Sequence, residues 1–257
     1  MTFHFMGGDK RQLYLADYIS NRGFPVGCSY LGGAEPPQWE ADILVLPLPA
    51  AKNGLLYAPL AEKTVPLEEI VARFRGRLLF GGLLPEGVGI DYYAAEEVLL
   101  ANAALTAEAA VGLAIQSTPF ALAEEPVLVL GAGRIGQLLA LRLKALGARV
   151  TVAARRAESL ALCRGMGVAA GLYEDLPYHR FRLILNTVPA PVLPLEQPPK
   201  GAILIELASS PGGFDPAAAE ARGLCPLAAP GLPGRYSPET AAAVIGNYIL
   251  KEMERLA

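Results

Sequence analysis

Three glycines at the spacing Gly-x-Gly-x-x-Gly are the residues whose types and spacing point most directly to chemistry. They separate a short apolar run, residues 126–130, from a helical pattern over residues 137–146. In such a strand, turn and helix, the first glycine permits the bend, the second lets a pyrophosphate approach the backbone, and the third lets helix and strand pack closely. The sequence therefore predicts a dinucleotide site formed by Gly131, Gly133, Arg134, Ile135 and Gly136.

The end of the next predicted strand, residues 149–154, indicates which dinucleotide binds. An NAD site carries Asp or Glu there to bind the ribose 2′-hydroxyl, whereas this chain has Arg155 and Arg156. Guanidinium groups offer a planar fork of donors that suits a 2′-phosphate. We therefore predict NADP as the cofactor. The alternative is that one arginine only caps or solvates the following helix.

Three further loops of the same half follow predicted strands and begin at residues 186, 208 and 229. Ligands of parallel α/β sheets bind beyond the carboxyl ends of the strands, so we expect these loops to open on one crevice. The further cofactor-binding residues that we select from the first two loops are Asn186, Thr187, Val188, Pro189 and Ser209.

The amino-terminal half offers a second strand-to-helix turn, Gly7-Gly8-Asp9-Lys10-Arg11-Gln12. Asp9 and Gln12 have the spacing of a capping box, so one interpretation of Asp9 is a helix N-cap without chemistry. The functional interpretation is that this turn forms a wall of a substrate site. In that case Arg11 and the loop residue Lys52 bind substrate carboxylates, and Asp9 is a reserve base.

A long helix rich in alanine and leucine is predicted over residues 93–117, between the two halves. At ~100° per residue, Glu108 lies on one face with Ala104, Val111 and Ile115. It thereby interrupts an otherwise apolar stripe. We assign Glu108 as the general base, because apolar surroundings favour the protonated carboxyl group. The alternative is a solvated residue on an imperfect stripe.

Alternating strands and helices predict an α/β protein with two Rossmann-like, doubly wound parallel-sheet domains and an interdomain cleft. Residues 1–119, completed by a carboxyl-terminal helix over residues 238–257, form the expected substrate and partner domain. Residues 120–237 form the expected NADP-binding domain. Asn-Thr-Val-Pro at 186 and the loop over residues 229–234 are expected to be irregular segments between strands.

Composition excludes several classes of function. The chain has 257 residues, 53% of them hydrophobic, and a formal net charge of −3, which gives no electrostatic case for nucleic acid or an anionic membrane. No uninterrupted apolar run reaches the ~20 residues that span a bilayer, and no signal peptide is evident. Three scattered cysteines predict neither a disulfide framework nor a metal site, and His4 and His179 are interpreted as structural. We expect a soluble cytoplasmic protein.

Several motifs carry a resemblance over nearly the whole length. They are Gly7-Gly8-Asp9 with Arg11-Gln12, the helix segment from Glu108 to Thr118, the glycine motif of residues 129–136, Asn186-Thr-Val-Pro189, Leu207-Ala-Ser-x-Pro-Gly-Gly213, and Ala229-Pro-Gly-Leu-Pro-Gly234 followed by Pro238-x-Thr240. Together they resemble the A subunit of dipicolinate synthase, the sporulation enzyme of Firmicutes. Ser210 departs from the pattern. A basic residue at this position would suit carboxylate binding by the loop.

The resemblance implies oxidation of a dihydrodipicolinate-type intermediate, formed from 4-hydroxy-tetrahydrodipicolinate, to pyridine-2,6-dicarboxylate with NADP. It also implies a dicarboxylate substrate, a partner that is the flavoprotein B subunit of the enzyme, and a location in the mother-cell cytoplasm. A relative of shikimate or alanine dehydrogenases is the main alternative, although Lys52 lacks a clear aspartate partner. A non-catalytic NADP-binding scaffold is a further alternative, and association of the chain with copies of itself stays open.

Overall fold

The structure is a computed structural model that describes residues 1–33 and 35–256. Contacts within the chain divide it into two compact units. Unit 1 comprises Met1–Asn102 and Pro233–Ala257, and unit 2 comprises Ala103–Leu232. Ala257, the last residue of the expected carboxyl-terminal helix, lies outside the described residues. The domain boundaries expected from the sequence, at residues 119 and 237, stay a prediction.

Unit 1 alternates strands and helices from its first residues. Its elements in chain order are β1 (Phe3–Met6), α1 (Lys10–Ser20), β2 (Val26–Ser29), β3 (Ile43–Val45), β4 (Ala51–Lys52), β5 (Leu55–Leu56), α2 (Leu67–Arg73), β6 (Leu78–Gly81), β7 (Ile90–Asp91) and the beginning of α3 (Glu96–Ser117). The parallel sheet has the strand order β2-β1-β3-β6-β7, while β4 and β5 pair as an antiparallel hairpin.

Both faces of the unit 1 sheet are covered by helices. On one face Phe3 and Phe5 pack with Leu15 and Ile19 of α1. On the other face the neighbouring strands pack against Leu67 and Ile70 of α2. A strand buried on both faces is typical of a parallel sheet.

Unit 2 continues the α3 helix and carries the glycine motif. Its elements are β8 (Pro126–Leu130), α4 (Arg134–Ala145), β9 (Arg149–Ala153), α5 (Ala157–Gly165), β10 (Ala169–Gly171), β11 (Leu183–Asn186), β12 (Ile203–Glu206), α6 (Pro216–Ala221) and β13 (Cys225–Ala228). The six strands are parallel in the order β10-β9-β8-β11-β12-β13. Helix α7 (Leu232–Tyr236) and helix α8 (Pro238–Leu256) follow.

The side chains of β8 alternate between two separate cores. Val127 and Val129 pack with apolar residues of α3 and α4, while Leu128 and Leu130 pack on the opposite face with Tyr178 and Phe181. This alternation follows from the two-residue period of a strand. The expected doubly wound arrangement of Rossmann-like sheets is confirmed.

Helix α8 packs against α1 within unit 1. Ile245, Ile249 and Met253 join the same core as Leu15 and Ile19. A Cβ atom added at Gly246 would lie against the ring of Tyr18, so the two helices approach closely there. The carboxyl-terminal segment thereby helps to close one face of the unit 1 sheet.

By length and composition alone, helix α3 is apolar enough to cross a membrane. The polar residues within residues 98–115 therefore do not by themselves exclude a spanning segment. In this structure, however, Ala107, Ala110 and Ala114 are fully buried in the core of unit 2. In all, 39% of the most apolar window of α3 is buried.

The structure corrects the sequence interpretation at three places. The segment beyond β3 contains the β4–β5 hairpin, although it was expected to be a loop. The loop expected over residues 229–234 gives way to α7 at Leu232, where Pro233 occupies the first turn, a position that tolerates its missing N–H group. Gln12 does not complete a capping box, because its side-chain amide donates instead to the carbonyl of Val45, at 2.8 Å.

Candidate functional site

The turn between β8 and α4 has the geometry that the glycine spacing predicts. Gly131 has a φ of +100°, which only glycine adopts without strain. A side chain there would also collide with Thr187, and its Cβ would lie 2.8 Å from Cγ2 of Val188. At Gly136 a Cβ would lie against the carbonyl oxygen of Gly131. Both glycines are therefore required by close packing of the turn.

Gly133 differs from the other two glycines, because a Cβ added there would meet no atom within 4 Å. It is the exposed N-cap residue of α4 and has no side chain to satisfy the first N–H groups of the helix. A helix N-terminus of this kind attracts phosphate through those N–H groups and the helix dipole. The open space at Gly133 therefore fits the pyrophosphate of a dinucleotide.

Arg134 and Ile135 form the first turn of α4. Arg134 is exposed, whereas Ile135 is half-buried and packs against the core of unit 2. The side-chain amide of Gln137 donates to the carbonyl of Ala132 at 2.7 Å and braces the turn. Packing of Ile135 and the hydrogen bond of Gln137 therefore stabilise the turn.

Arg155 and Arg156 follow β9 after one intervening residue, and β9 lies beside β8 in the sheet. Both are exposed, and neither side chain makes a hydrogen bond or salt bridge among the described residues. Arg156 is the N-cap residue of α5, but its side chain provides no capping hydrogen bond. Both guanidinium groups are thus available to a phosphate, and their part in cofactor selection stays a prediction.

Asn186 lies at the carboxyl end of β11, opposite Leu130 on one side and Glu206 on the other. It is fully buried, and its amide nitrogen donates to the carbonyl of Val188 at 2.8 Å and to Oε1 of Glu206 at 2.7 Å. Its amide oxygen accepts from the Val188 N–H. Asn186 therefore shapes the loop rather than presenting a free amide to a ligand.

Glu206 ties a second loop to the same point. Oε1 also accepts from the Ala208 N–H at 2.9 Å, and Oε2 accepts from the Gly213 N–H at 2.7 Å. A Cβ at Gly213 would come within 2.5 Å of the Asn186 amide. The hydrogen bonds of the Glu206 carboxylate consequently hold residues 207–213 against the end of β11.

The remaining residues of these loops have different surroundings. Thr187 donates its hydroxyl to the carbonyl of Leu130 at 2.8 Å, which fastens β11 to β8. Val188 is half-buried against the glycine turn, while Pro189 and Ser209 are exposed. The structure thus brings Thr187 and Val188 to the glycine motif, and it leaves the Ser209 hydroxyl accessible.

Unit 1 brings Asp9 and Arg11 together at the carboxyl end of β1. Asp9 caps α1 by accepting from the Arg11 N–H at 3.0 Å, and its carboxylate also binds Nε and Nη2 of Arg11 at 2.9 and 2.7 Å. Nη2 further donates to the carbonyl of Leu48 at 2.6 Å. A Cβ at Gly234 would lie 2.6 Å from Oδ2 of Asp9, so glycine is needed there.

This pair is largely buried, since the Arg11 side chain is only 9% exposed. Burial acts to lower the pKa of Arg11, but the hydrogen bonds and charge of Asp9 outweigh it, and the pKa is raised above its usual value. Asp9 is therefore engaged as the partner of a permanent cation. Nη1 of Arg11 has no hydrogen-bond partner among the described contacts.

Lys52 lies in the β4–β5 hairpin and is exposed. Its ammonium group lies 4.4 Å from the ring centroid of Tyr57, a distance typical of a cation–π contact. Burial first, and then the charge of Asp9, raise the pKa of the Tyr57 phenol. The contact places Lys52 beside a neutral ring in the same unit as Asp9 and Arg11.

The sequence interpretation expected apolar surroundings for Glu108, but the structure does not place this residue in such surroundings. It is exposed, and its stripe neighbour Ile115 is 54% exposed, because the buried face of α3 is formed instead by alanines such as Ala107 and Ala110. Within the described residues Glu108 makes no hydrogen bond or salt bridge. Its carboxylate is thus accessible, and its role as general base stays a prediction.

Sequence reasoning missed Tyr57 and Glu206. The Asn53-Gly54 pair could have indicated the hairpin that precedes Tyr57, because Asn-Gly is a strong signal for a two-residue turn, and both residues have positive φ angles. Glu206 had one signal, a carboxylate at the end of an apolar strand. Its partners are set only by the path of the following loop.

No protein-family model matches the chain. A curated relative, the A subunit of dipicolinate synthase from Bacillus subtilis (strain 168), is 34% identical over 167 residues, which make up 63% of this chain and 56% of the relative. The match therefore spans little more than half the length of that relative.

Solved structures extend the similarity to nearly the whole chain. The crystal structure of the dipicolinate synthase A chain from Bacillus subtilis has a TM-score of 0.84 at 26% identity and covers 99% of this chain and 96% of its own. The A subunit of dipicolinate synthase from Bacillus halodurans gives 0.85 at 27% identity, with 97% of each chain covered. An L-alanine dehydrogenase, 15% identical with a TM-score of 0.63 over 96% of this chain and 80% of its own, shares the fold.

Proposed function

We propose that this chain, which is similar to the A subunit of dipicolinate synthase, is an NADP-dependent oxidoreductase that forms pyridine-2,6-dicarboxylate. The substrate would be a dihydrodipicolinate-type intermediate derived from 4-hydroxy-tetrahydrodipicolinate. The observation that carries the proposal is the glycine turn, with open space at Gly133 and, after β9, two arginines that have no partner among the described residues, in a chain with this similarity.

The residues of unit 2 supply the cofactor site in this proposal. The N–H groups at the start of α4 hold the pyrophosphate, and Arg155 and Arg156 hold the 2′-phosphate. Val188, Pro189 and Ser209 line the loops beyond β11 and β12, where Asn186 and Glu206 fix the backbone. When bound, NADP supplies an acceptor for the hydride that leaves the substrate ring.

Substrate binding and proton transfer need further groups. We assign carboxylate binding to Arg11 and Lys52, because among the described residues Nη1 of Arg11 has no hydrogen-bond partner and the Lys52 ammonium group has no carboxylate partner. Asp9 orients Arg11. Glu108, an accessible carboxylate that has no partner within the described part of the chain, is assigned to accept the proton, a role that typically contributes ~10²–10⁴-fold to turnover.

The partner and the location are part of the same proposal and are supported by the same similarity. The relatives are named as one component of dipicolinate synthase, so we propose that this chain works with a flavoprotein B subunit. We also propose that it acts in the mother-cell cytoplasm during sporulation.

The test supplies the enzymatically generated precursor with NADP or with NAD, in the presence and absence of a candidate flavoprotein. The expected result is an aromatic dicarboxylate product that depends on NADP. Gly133→Val is the matched negative control, because its side chain enters open space and should block the pyrophosphate without disturbing the fold. Gly165→Val controls for the substitution itself, since Gly165 is equally open. Failure to form product under every combination would contradict the proposal.

A further inference from the structure

Lys52 is a cation held by an aromatic ring rather than by a carboxylate. Its Nζ atom lies 4.4 Å from the centroid of Tyr57, and in the described part of the chain it makes no salt bridge or hydrogen bond. A cation–π contact orients an ammonium group but leaves its charge uncompensated. Such a group can still bind an anion.

The hairpin that carries this pair is fixed to the β1–α1 turn. The N–H of Gly8 donates to the carbonyl of Tyr57 at 2.6 Å. Gly7 has a φ of +66°, and a Cβ on it would lie 2.8 Å from Cγ of Leu56. The hairpin therefore packs directly over the turn that leads into Asp9.

Arg11 is the second cation of this region. Asp9 and the Leu48 carbonyl occupy its Nε and Nη2 groups, which leaves Nη1 as the donor edge without a partner among the described contacts. Tyr57 lies close to the ion pair, because its carbonyl accepts a hydrogen bond from the N–H of Gly8, the residue before Asp9. Lys52 and Arg11, two cations with N–H donors that have no partner among the described contacts, thus lie near the half-buried Tyr57.

We propose that Tyr57 is a positioning residue that makes unit 1 selective for a dicarboxylate, by holding Lys52 for one carboxylate while Nη1 of Arg11 binds the other. This inference rests on the proposed function and adds how the second carboxylate is recognised. The phenol hydroxyl itself has no hydrogen bond among the described residues, so the ring carries the effect.

Calorimetric binding of pyridine-2,6-dicarboxylate and pyridine-2-carboxylate to the full chain tests this. The wild type should bind the dicarboxylate more tightly. Lys52→Met should abolish that preference. Tyr57→Leu should weaken dicarboxylate binding by roughly two- to five-fold, as expected for an exposed cation–π contact, whereas Tyr57→Phe keeps a ring and should retain wild-type affinity.

A double-mutant cycle separates positioning from loss of structure. Tyr57→Leu should have no further effect in the Lys52→Met background, because the group that it positions is already absent. Equal losses with and without Lys52, a Tyr57→Phe variant as weak as Tyr57→Leu, or a wild type that binds neither compound would each overturn the inference. The turnover assay is independent of these binding measurements. If the wild type forms product and Tyr57→Leu leaves the dicarboxylate affinity unchanged, only the positioning role is rejected. If the wild type prefers the dicarboxylate but forms no product, the proposed function is rejected.

Discussion

The side-chain amide of Asn186 donates to the carboxylate of Glu206 at 2.7 Å, and that carboxylate also accepts from the N–H groups of Ala208 and Gly213. One carboxylate thus fastens the loop after β12 to the end of β11. Hydrogen bonds to a charged acceptor are stronger than neutral ones. The shape of both loops therefore depends on the Glu206 carboxylate.

Replacing Glu206 by Gln should destabilise unit 2, because an amide nitrogen cannot accept the hydrogen bond that one carboxylate oxygen now takes. Leaving one buried donor unsatisfied costs about 1–3 kcal/mol. Denaturant unfolding should show a decrease of that size in the free energy of unfolding. Glu220→Gln, on the exposed surface of α6, is the control, and an equal change in both variants would contradict the bracing role.

The glycine turn was predictable because its determinants are local. Gly131 has a positive φ angle, and Gly136 packs against the carbonyl oxygen of Gly131, so the spacing of the two glycines records a contact within the turn. The partners of Asn186 were not predictable, because Glu206 and Gly213 reach it only through the folded path of a distant loop. The sequence analysis selects Asn186 as a ligand-binding residue, but in the structure its side-chain amide is hydrogen-bonded within the protein and shapes the backbone.

Unit 1 shows the same limit. The N-cap of Asp9 follows from its type and position, and the structure confirms it. The bidentate pair with Arg11 depends on side-chain conformations that spacing alone does not specify. The surroundings of Glu108 were misjudged, since small alanines allow the opposite face of α3 to pack more closely.

The cofactor preference should depend on the two arginines after β9. Replacing Arg155 and Arg156 together by Ala should weaken NADP binding tenfold or more, since a hydrogen bond to a charged group contributes roughly 1.5 to 3 kcal/mol. Binding of NAD should be nearly unchanged, because it lacks the 2′-phosphate. Fluorescence titration with both cofactors measures this, and an equal loss for the two would show that the arginines do not read the phosphate.

Stability should fall in acid because of His4. This side chain is fully buried, with Nε2 2.9 Å from the Ser29 hydroxyl and Nδ1 without a partner, and burial lowers its pKa from 6.5 to about 4. Below about pH 6.5 His4 is protonated in the unfolded chain, whereas in the folded protein it stays neutral until the pH falls to about 4. The free energy of unfolding should therefore decrease by about 3 kcal/mol across that window from this residue alone.

A His4→Gln variant isolates this effect, because glutamine does not titrate. Urea unfolding at intervals between pH 7 and pH 4 should show a shallower loss of stability for the variant than for the wild type, whatever its stability at pH 7. Parallel curves for the two proteins would assign the acid sensitivity to other groups.

Proton transfer is assigned to Glu108, and its substitution by Gln tests this assignment. The variant keeps the size of the side chain but cannot accept the proton, so turnover should fall by ~10²–10⁴-fold while NADP affinity stays close to that of the wild type. Glu158→Gln, at an exposed position of α5, controls for loss of one negative charge. Since Glu108 has no partner among the described residues, its replacement should leave the melting temperature unchanged, and a loss of turnover then reports chemistry. Wild-type turnover by a Glu108→Gln protein that binds NADP normally would leave Glu108 as a solvated residue of α3.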